Sequence, residues 1–170
     1  MTRIGLISDT HGYLDPALER HFAQCDEIWH AGDIGSLDVL DGMAGWGKQL
    51  RVVYGNIDAP EIRRETVEDL LFSVEDVLVF MTHIGGYPGR YHARVRQILI
   101  DQKPQLYVCG HSHILKVIYD KKLDLLHVNP GACGKHGLHQ VRTAVRFTID
   151  GNDMREMQVI ELGHRGQRSA

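Results

Sequence analysis

The chain has 170 residues, 43% of them hydrophobic and 24% charged, the proportions of a globular domain with its own core rather than a disordered or fibrous chain. That length suits a single domain spanning 1–170 and leaves little room for a second. The net charge is −3 and the nineteen basic residues are spread along the chain. No electrostatic footprint for long nucleic acid is present, which disfavours a dedicated nuclease.

In chain order, Ile4–Ile7 reads as the first strand. Asp15 and Pro16 then predict an N-cap and first-turn proline for a helix to about Gln24, with Leu18 and Phe22 on one apolar face. Glu27–Trp29 is a second strand. Leu37, Leu40 and Met43 recur at helical spacing over Ser36–Met43 before Gly45. Strands follow at Arg51–Tyr54 and Asp76–Met81. A helix over Tyr91–Gln102 buries Val95, Ile98 and Leu99, with Pro104 beyond its end, and leads to a strand at Leu106–Cys109, which makes Cys109 a core residue. From Leu123 the pattern is strands only: Leu123–Val128, Ala144–Ile149 and Arg155–Leu162. Asp150-Gly151-Asn152-Asp153 is a hairpin signal between the last two. Residues 163–170 are polar and expected to fray. A βα first half and a β-rich second half predict an α/β fold of two stacked sheets with helices outside.

Cys25, Cys109 and Cys133 are odd in number and far apart, with no CxxC pair, as expected of reduced thiols. Met1 leads almost at once into a strand with no charged-then-apolar leader. No apolar run approaches the roughly 20 residues that cross a bilayer. The expectation is a cytoplasmic protein without a membrane segment, its oligomeric state left open between monomer and homo-oligomer.

Five short segments, each after a strand-like run, carry only oxygen and imidazole ligands: Asp9-Thr10-His11, Gly32-Asp33, Gly55-Asn56, Thr82-His83 and Gly110-His111-Ser112-His113. Loops beyond the carboxyl ends of strands are where α/β proteins place ligands. Residues two apart on a strand share a face, so Asp9 with His11 and His111 with His113 are expected as preset pairs. Two carboxylates, one amide and four imidazoles without thiolate suit Mn, Fe, Zn, Co or Ni. Seven ligands exceed one zinc and suit two ions about 3.5–4 Å apart, bridged by a carboxylate and a hydroxide.

At these residues the chain resembles the calcineurin-like metallophosphoesterases, and within them the small standalone bacterial and archaeal branch related to the retromer subunit of the same fold. The resemblance implies a four-layer αββα sandwich of two mixed sheets flanked by helices. It assigns Asp9, His11 and His113 to one metal, Asn56, His83 and His111 to the other, and Asp33 to both, with His30 supporting them from behind. Two divalent ions, manganese foremost, are the implied cofactors. Two departures stand out. Many relatives carry a proton-donating histidine where this chain has Ile57 in Gly55-Asn56-Ile57-Asp58. The usual second histidine is also missing from Thr82-His83-Ile84-Gly85. Isoleucine cannot donate a proton, so esters with good leaving groups are favoured.

Other segments are read more plainly. Asn129-Pro130-Gly131 is a structural turn beside the site, and Lys135, His136 and His139 belong to a solvated loop. Arg63 and Arg64 lie on a solvated helix face, and 85–90, with Tyr87 and Tyr91, forms a long turn.

The expected function is a metal-dependent phosphodiesterase acting on a small phosphate ester. A metal-bridging hydroxide attacks phosphorus in line, and Asn56 and His111 orient the substrate and stabilise charge. The rival is a catalytically silent metal-binding scaffold for protein partners; the complete ligand set favours the enzyme.

Overall fold

The computed structural model describes residues 1–166. In chain order the elements are β1 (Thr2–Ile7), α1 (Ala17–His21), β2 (Glu27–His30), α2 (Leu37–Ala44), β3 (Gln49–Val52), α3 (Pro60–Glu65), β4 (Asp69–Val74) and β5 (Val77–Thr82). There follow β6 (Gly86–Tyr87), β7 (Arg90–Tyr91), α4 (Ala93–Gln102), β8 (Leu106–Val108), β9 (Leu115–Asp120), β10 (Leu125–Pro130), β11 (Val141–Asp150) and β12 (Asp153–His164).

Two mixed five-stranded sheets form, ordered β12-β11-β1-β2-β3 and β4-β5-β8-β10-β9. Each holds three parallel strands: β1 pairs with β2 and β2 with edge strand β3 in one, β5 with β8 and β8 with β10 in the middle of the other. The period-2 alternation of side chains sorts residues into layers. Ile4 and Leu6, Trp29, Val79 and Met81, Leu106 and Val108, and Val145 and Phe147 meet between the sheets in one inner core. Residues of opposite parity turn outward. Ile7 and Ile28 join Leu18, Phe22, Val39 and Met43 beneath α1 and α2, whereas Phe80 and Tyr107 join Val95 and Leu99 beneath α4. Helices, two sheets and helix are therefore stacked in the expected four layers.

Element ends depart from expectation where tertiary contacts take over. Helix α1 is shorter than predicted because the chain tightens into i→i+3 bonds, Ala23 N to Arg20 O and Cys25 N to Phe22 O. This seats the Phe22 ring so close to Gly5 that a Cβ there would lie 2.7 Å from it. Asp15 still caps, its Oδ1 accepting from Ala17 N at 2.8 Å. Helix α4 starts two residues late because Arg90 and Tyr91 pair with Gly86 and Tyr87 in a small ribbon, so segment 85–90 is not merely a turn. Strands β4 and β9 were not expected, since neither carries a clean alternation of apolar and polar residues. The hairpin at 150–153 forms as predicted, with Asp150 opposite Asp153. Strand β12 continues to His164, which pairs with Val141, so the expected fraying does not apply at 163–164; residues 167–170 lie outside the described residues. No helix is long and apolar enough to cross a membrane.

Candidate metal centre

The strands stop short of the ligands. β1 ends at Ile7 and β8 at Val108, and the next residues take left-handed backbone: Asp9 (φ 54°), His11 (φ 46°), Asp33 (φ 55°), His111 (φ 71°) and His113 (φ 62°). The expectation that each pair is set by strand alternation is therefore corrected. Such backbone is uncommon for residues other than glycine and clusters at functional sites. It is held here by bonds between loops: Asp9 N to Gly32 O at 2.9 Å, His11 N to Asp33 O at 3.0 Å and Gly110 N to His83 O at 3.0 Å.

The loops bring two ligand groups together, Asp9 with His11 and His113, and Asp33 with His83 and His111, the donor atoms of each group within 4.8 Å of one another. Asp9 Oδ1 lies 3.2 Å from His113 Nε2 and 3.9 Å from His11 Nε2. Asp33 divides its oxygens, with Oδ1 3.1 Å from His83 Nε2 and Oδ2 3.4 Å from His11 Nε2. Asn56 lies beside His83 in the wall of a cavity of about 290 Å³. Ile57 is 46% exposed, and its backbone N–H donates to Asp33 Oδ1 at 3.2 Å.

Asp9 and His83 are oriented from behind. Asp9 Oδ2 accepts from Ser8 Oγ at 2.7 Å and from His111 N at 3.1 Å, leaving Oδ1 for the centre. His83 Nδ1–H donates to Ala31 O at 2.7 Å, which leaves Nε2 with its lone pair turned inward, an arrangement typical of metal-binding imidazoles. Two motif glycines are required by close approach: a Cβ on Gly55 would sit 2.0 Å from Asp33 Oδ1, and one on Gly110 2.1 Å from Ser8 Oγ.

Burial pushes the Asp9 carboxyl up, but the nearby imidazoles of His113 and His83 and the Ser8 hydroxyl outweigh it and hold it below the ordinary carboxylate range. For Asp33 burial is likewise outweighed, chiefly by His83. His11 and His111 are pushed down, mainly by burial. Asp9 Oδ1, His11 Nε2 and His83 Nε2 are buried without hydrogen-bond partners. Buried polar atoms are rarely left unpaired, and these three converge from separate loops. With carboxylates held anionic and imidazole nitrogens set against them, the residues fit divalent cations.

Several supporting residues went unread or under-read in the sequence. Buried His30 accepts from Gly32 N through Nδ1 and donates from Nε2 to Thr10 Oγ1, which in turn donates to Ile34 O. It braces the two carboxylate loops as a neutral imidazole, burial pushing its pKa down to about 4. Asp58 accepts from three backbone N–H groups, those of Ile34, Gly35 and Gly55, at 3.1, 2.8 and 2.8 Å. Arg63 is not merely solvated; it donates to Asp58 O and Asn56 O and lies 4.6 Å above the Tyr54 ring. Asn129 is structural as expected, donating to Gly110 O and Ser112 Oγ and accepting from Gly131 N. The loop 134–139 is solvated as expected at His136 and Leu138, but it also meets the site: the His136 ring lies 4.8 Å from that of His11, and the His139 ring 5.2 Å from that of His113. The three cysteines are unpaired and buried.

Comparison with known proteins agrees with this geometry. A probable metallophosphoesterase of Methanothermobacter thermautotrophicus is 28% identical over 165 residues, covering 94% of this chain and 92% of its own. A structure described as a novel archaeal phosphodiesterase superposes with a TM-score of 0.71 at 24% identity, covering 93% of this chain and 99% of that one. Entamoeba histolytica Vps29 complexed with zinc superposes with a TM-score of 0.71 at 14% identity, covering 96% and 99%. The calcineurin-like phosphoesterase superfamily domain matches residues 2–152. By that match, which spans strands of both sheets and all the ligand loops, this chain belongs to the calcineurin-like phosphoesterase superfamily.

Proposed function

We propose that the chain is a dinuclear-metal phosphodiesterase built as a single domain around its shared inner core. The observation that carries this reading is the division of Asp33, one oxygen toward His11 and the other toward His83, which suits a carboxylate shared by two cations. Asp9, His11 and His113 would hold one ion, Asn56, His83 and His111 the other. Two divalent ions, when bound, supply a nucleophile from water and a positive clamp on phosphoryl oxygens. The nitrogen and oxygen donors suit Mn, Fe, Zn, Co or Ni alike, and manganese is put first by the resemblance to the family. The chain's own part is to fix these donors, with Asn56 and His111 orienting the phosphoryl group.

A diester is favoured over a monoester because two cavities flank the second ligand group. One, of about 290 Å³, is lined by Asn56, Arg63 and His83; the other, of about 340 Å³, by His111. A diester has two substituents to seat and a monoester one. The buried, unpaired thiols support a reducing, cytoplasmic setting.

Metal analysis of the purified protein, coupled to turnover of matched phosphate mono- and diesters with chelator and with manganese, nickel, zinc or magnesium restored, tests the reading. Two equivalents of metal and chelator-sensitive diester hydrolysis are expected. Undiminished turnover in excess chelator would overturn the metal reading and direct attention to Cys133. Preference for monoesters would overturn the diester assignment.

A second reading, a metal-bearing platform for protein partners, is favoured by edge strand β9, which leaves Leu115, Val117, Ile118 and Tyr119 exposed. Exposed apolar edge strands are ready templates for pairing with another chain. Metal binding without turnover of any ester would favour it.

A further inference from the structure

The cavity beside His111 is one-signed. It lies between the β6–β7 ribbon and the 110–116 segment, and its lining includes Arg90, Lys116, His92 and His127 but no carboxylate. Among the described residues neither Arg90 nor Lys116 is held in an ion pair; Lys116 Nζ instead lies 3.6 Å above the Tyr87 ring. That contact also covers a ring face a planar ligand would otherwise stack on, so the cavity favours an anion over a flat uncharged group.

One neutral donor completes it. Ser112 Oγ already accepts from Ile114 N and Asn129 Nδ2, which leaves its own proton to donate. Two cations and the free Ser112 hydroxyl proton facing a recess without carboxylates match the oxygens of a phosphate or carboxylate. His111 belongs both to this wall and to the ligand group, so a short linker reaches from one to the other.

We propose that the cavity binds a second anionic group, a phosphate or carboxylate, carried on one alcohol of the phosphodiester substrate. The inference rests on the phosphodiesterase reading and narrows it to diesters bearing an additional negative charge.

The test uses three p-nitrophenyl diesters that share the leaving group and differ in the second alcohol: ethyl, 2-carboxyethyl and 2-phosphoethyl. An anionic ester should exceed the ethyl ester in kcat/KM by about tenfold or more, through KM, the ratio one charge-assisted hydrogen bond supplies. The better of the two anionic esters identifies the group. Arg90→Ala and Lys116→Ala should each collapse the ratio toward one. An ethyl ester equal to or better than both, or a variant that lowers all three in proportion, overturns the inference. Inorganic phosphate titrated into the metal-stripped protein supplies an independent readout. Saturable shifts in the backbone NMR signals of 84–92 and 110–116 are expected, and their loss in Arg90→Ala. If phosphate binds there but no diester turns over, the enzyme reading fails and the anion site stands. If diesters turn over without discrimination and phosphate leaves these signals unmoved, the anion site fails and the enzyme reading stands.

Discussion

Asp33 faces two histidine groups with different oxygens, so removing it affects both sides of the centre at once. Asp33→Ala is expected to reduce bound metal from two equivalents to less than one by elemental analysis; two retained equivalents would refute a shared carboxylate. His113→Ala should instead lower affinity at one site, because its imidazole lies closest to Asp9. Equal loss at both would contradict the partition. Ile57 is the other informative residue. It is half exposed rather than enclosed in an apolar pocket, so Ile57→His should fold normally. General acid help is worth ~10²–10⁴ in rate, and without it alkyl diesters should be turned over far more slowly than aryl ones, a gap that Ile57→His narrows. A shallow leaving-group dependence in the unaltered protein would mean another group donates the proton, with His136, beside His11, first to test.

At the scale of the element, the working parts are loops that begin where strands end, and their left-handed backbone persists only because neighbouring loops hold it. Asp58 is the clearest such tie, joining loop 33–35 to loop 55–58 through the buried N–H groups of Ile34 and Gly55 and the part-buried one of Gly35. Orphaning a buried donor costs about 1–3 kcal/mol. Asp58→Ala should therefore lose about 3 kcal/mol or more in urea unfolding, and metal affinity with it. Asp58→Asn, whose amide oxygen can still accept from Ile34 and Gly55, should fall between. Equal stability of all three proteins would show that the loops are held otherwise.

For the whole molecule, the buried histidines His30 and His127 contribute a pH dependence that does not require bound metal. Burial pushes both His30 and His127 down to about 4, against 6.5 in the unfolded chain. Between those values the unfolded chain binds protons that the folded one does not. The two histidines' contribution is thus full above about pH 6.5 and declines as pH falls toward 4, by roughly 3 kcal/mol for each histidine. Urea unfolding of the metal-stripped protein across this range measures it. His127→Gln should make the slope shallower, and an unchanged slope would show that other groups carry it.

Alternation of apolar residues along β1, β2, β5 and β8 determined the layers, because strand periodicity is a local property that any two-sided sheet must respect. The chemistry of the ligand set was equally legible, since side-chain type alone separates nitrogen and oxygen donors from thiolates. Tertiary structure decided what local pattern does not encode. It set how the ligand pairs are formed, since left-handed turns beyond the strands depend on bonds such as His111 N to Asp9 Oδ2, which joins residues 102 positions apart. It decided that the rings of His136, still exposed, and half-buried His139 lie beside ligands, and that Arg63 clamps the loop bearing Asn56. Edge strand β9, irregular in sequence, exists because β10 offers it six partners, and the one-signed recess beside His111 exists only once that sheet is assembled.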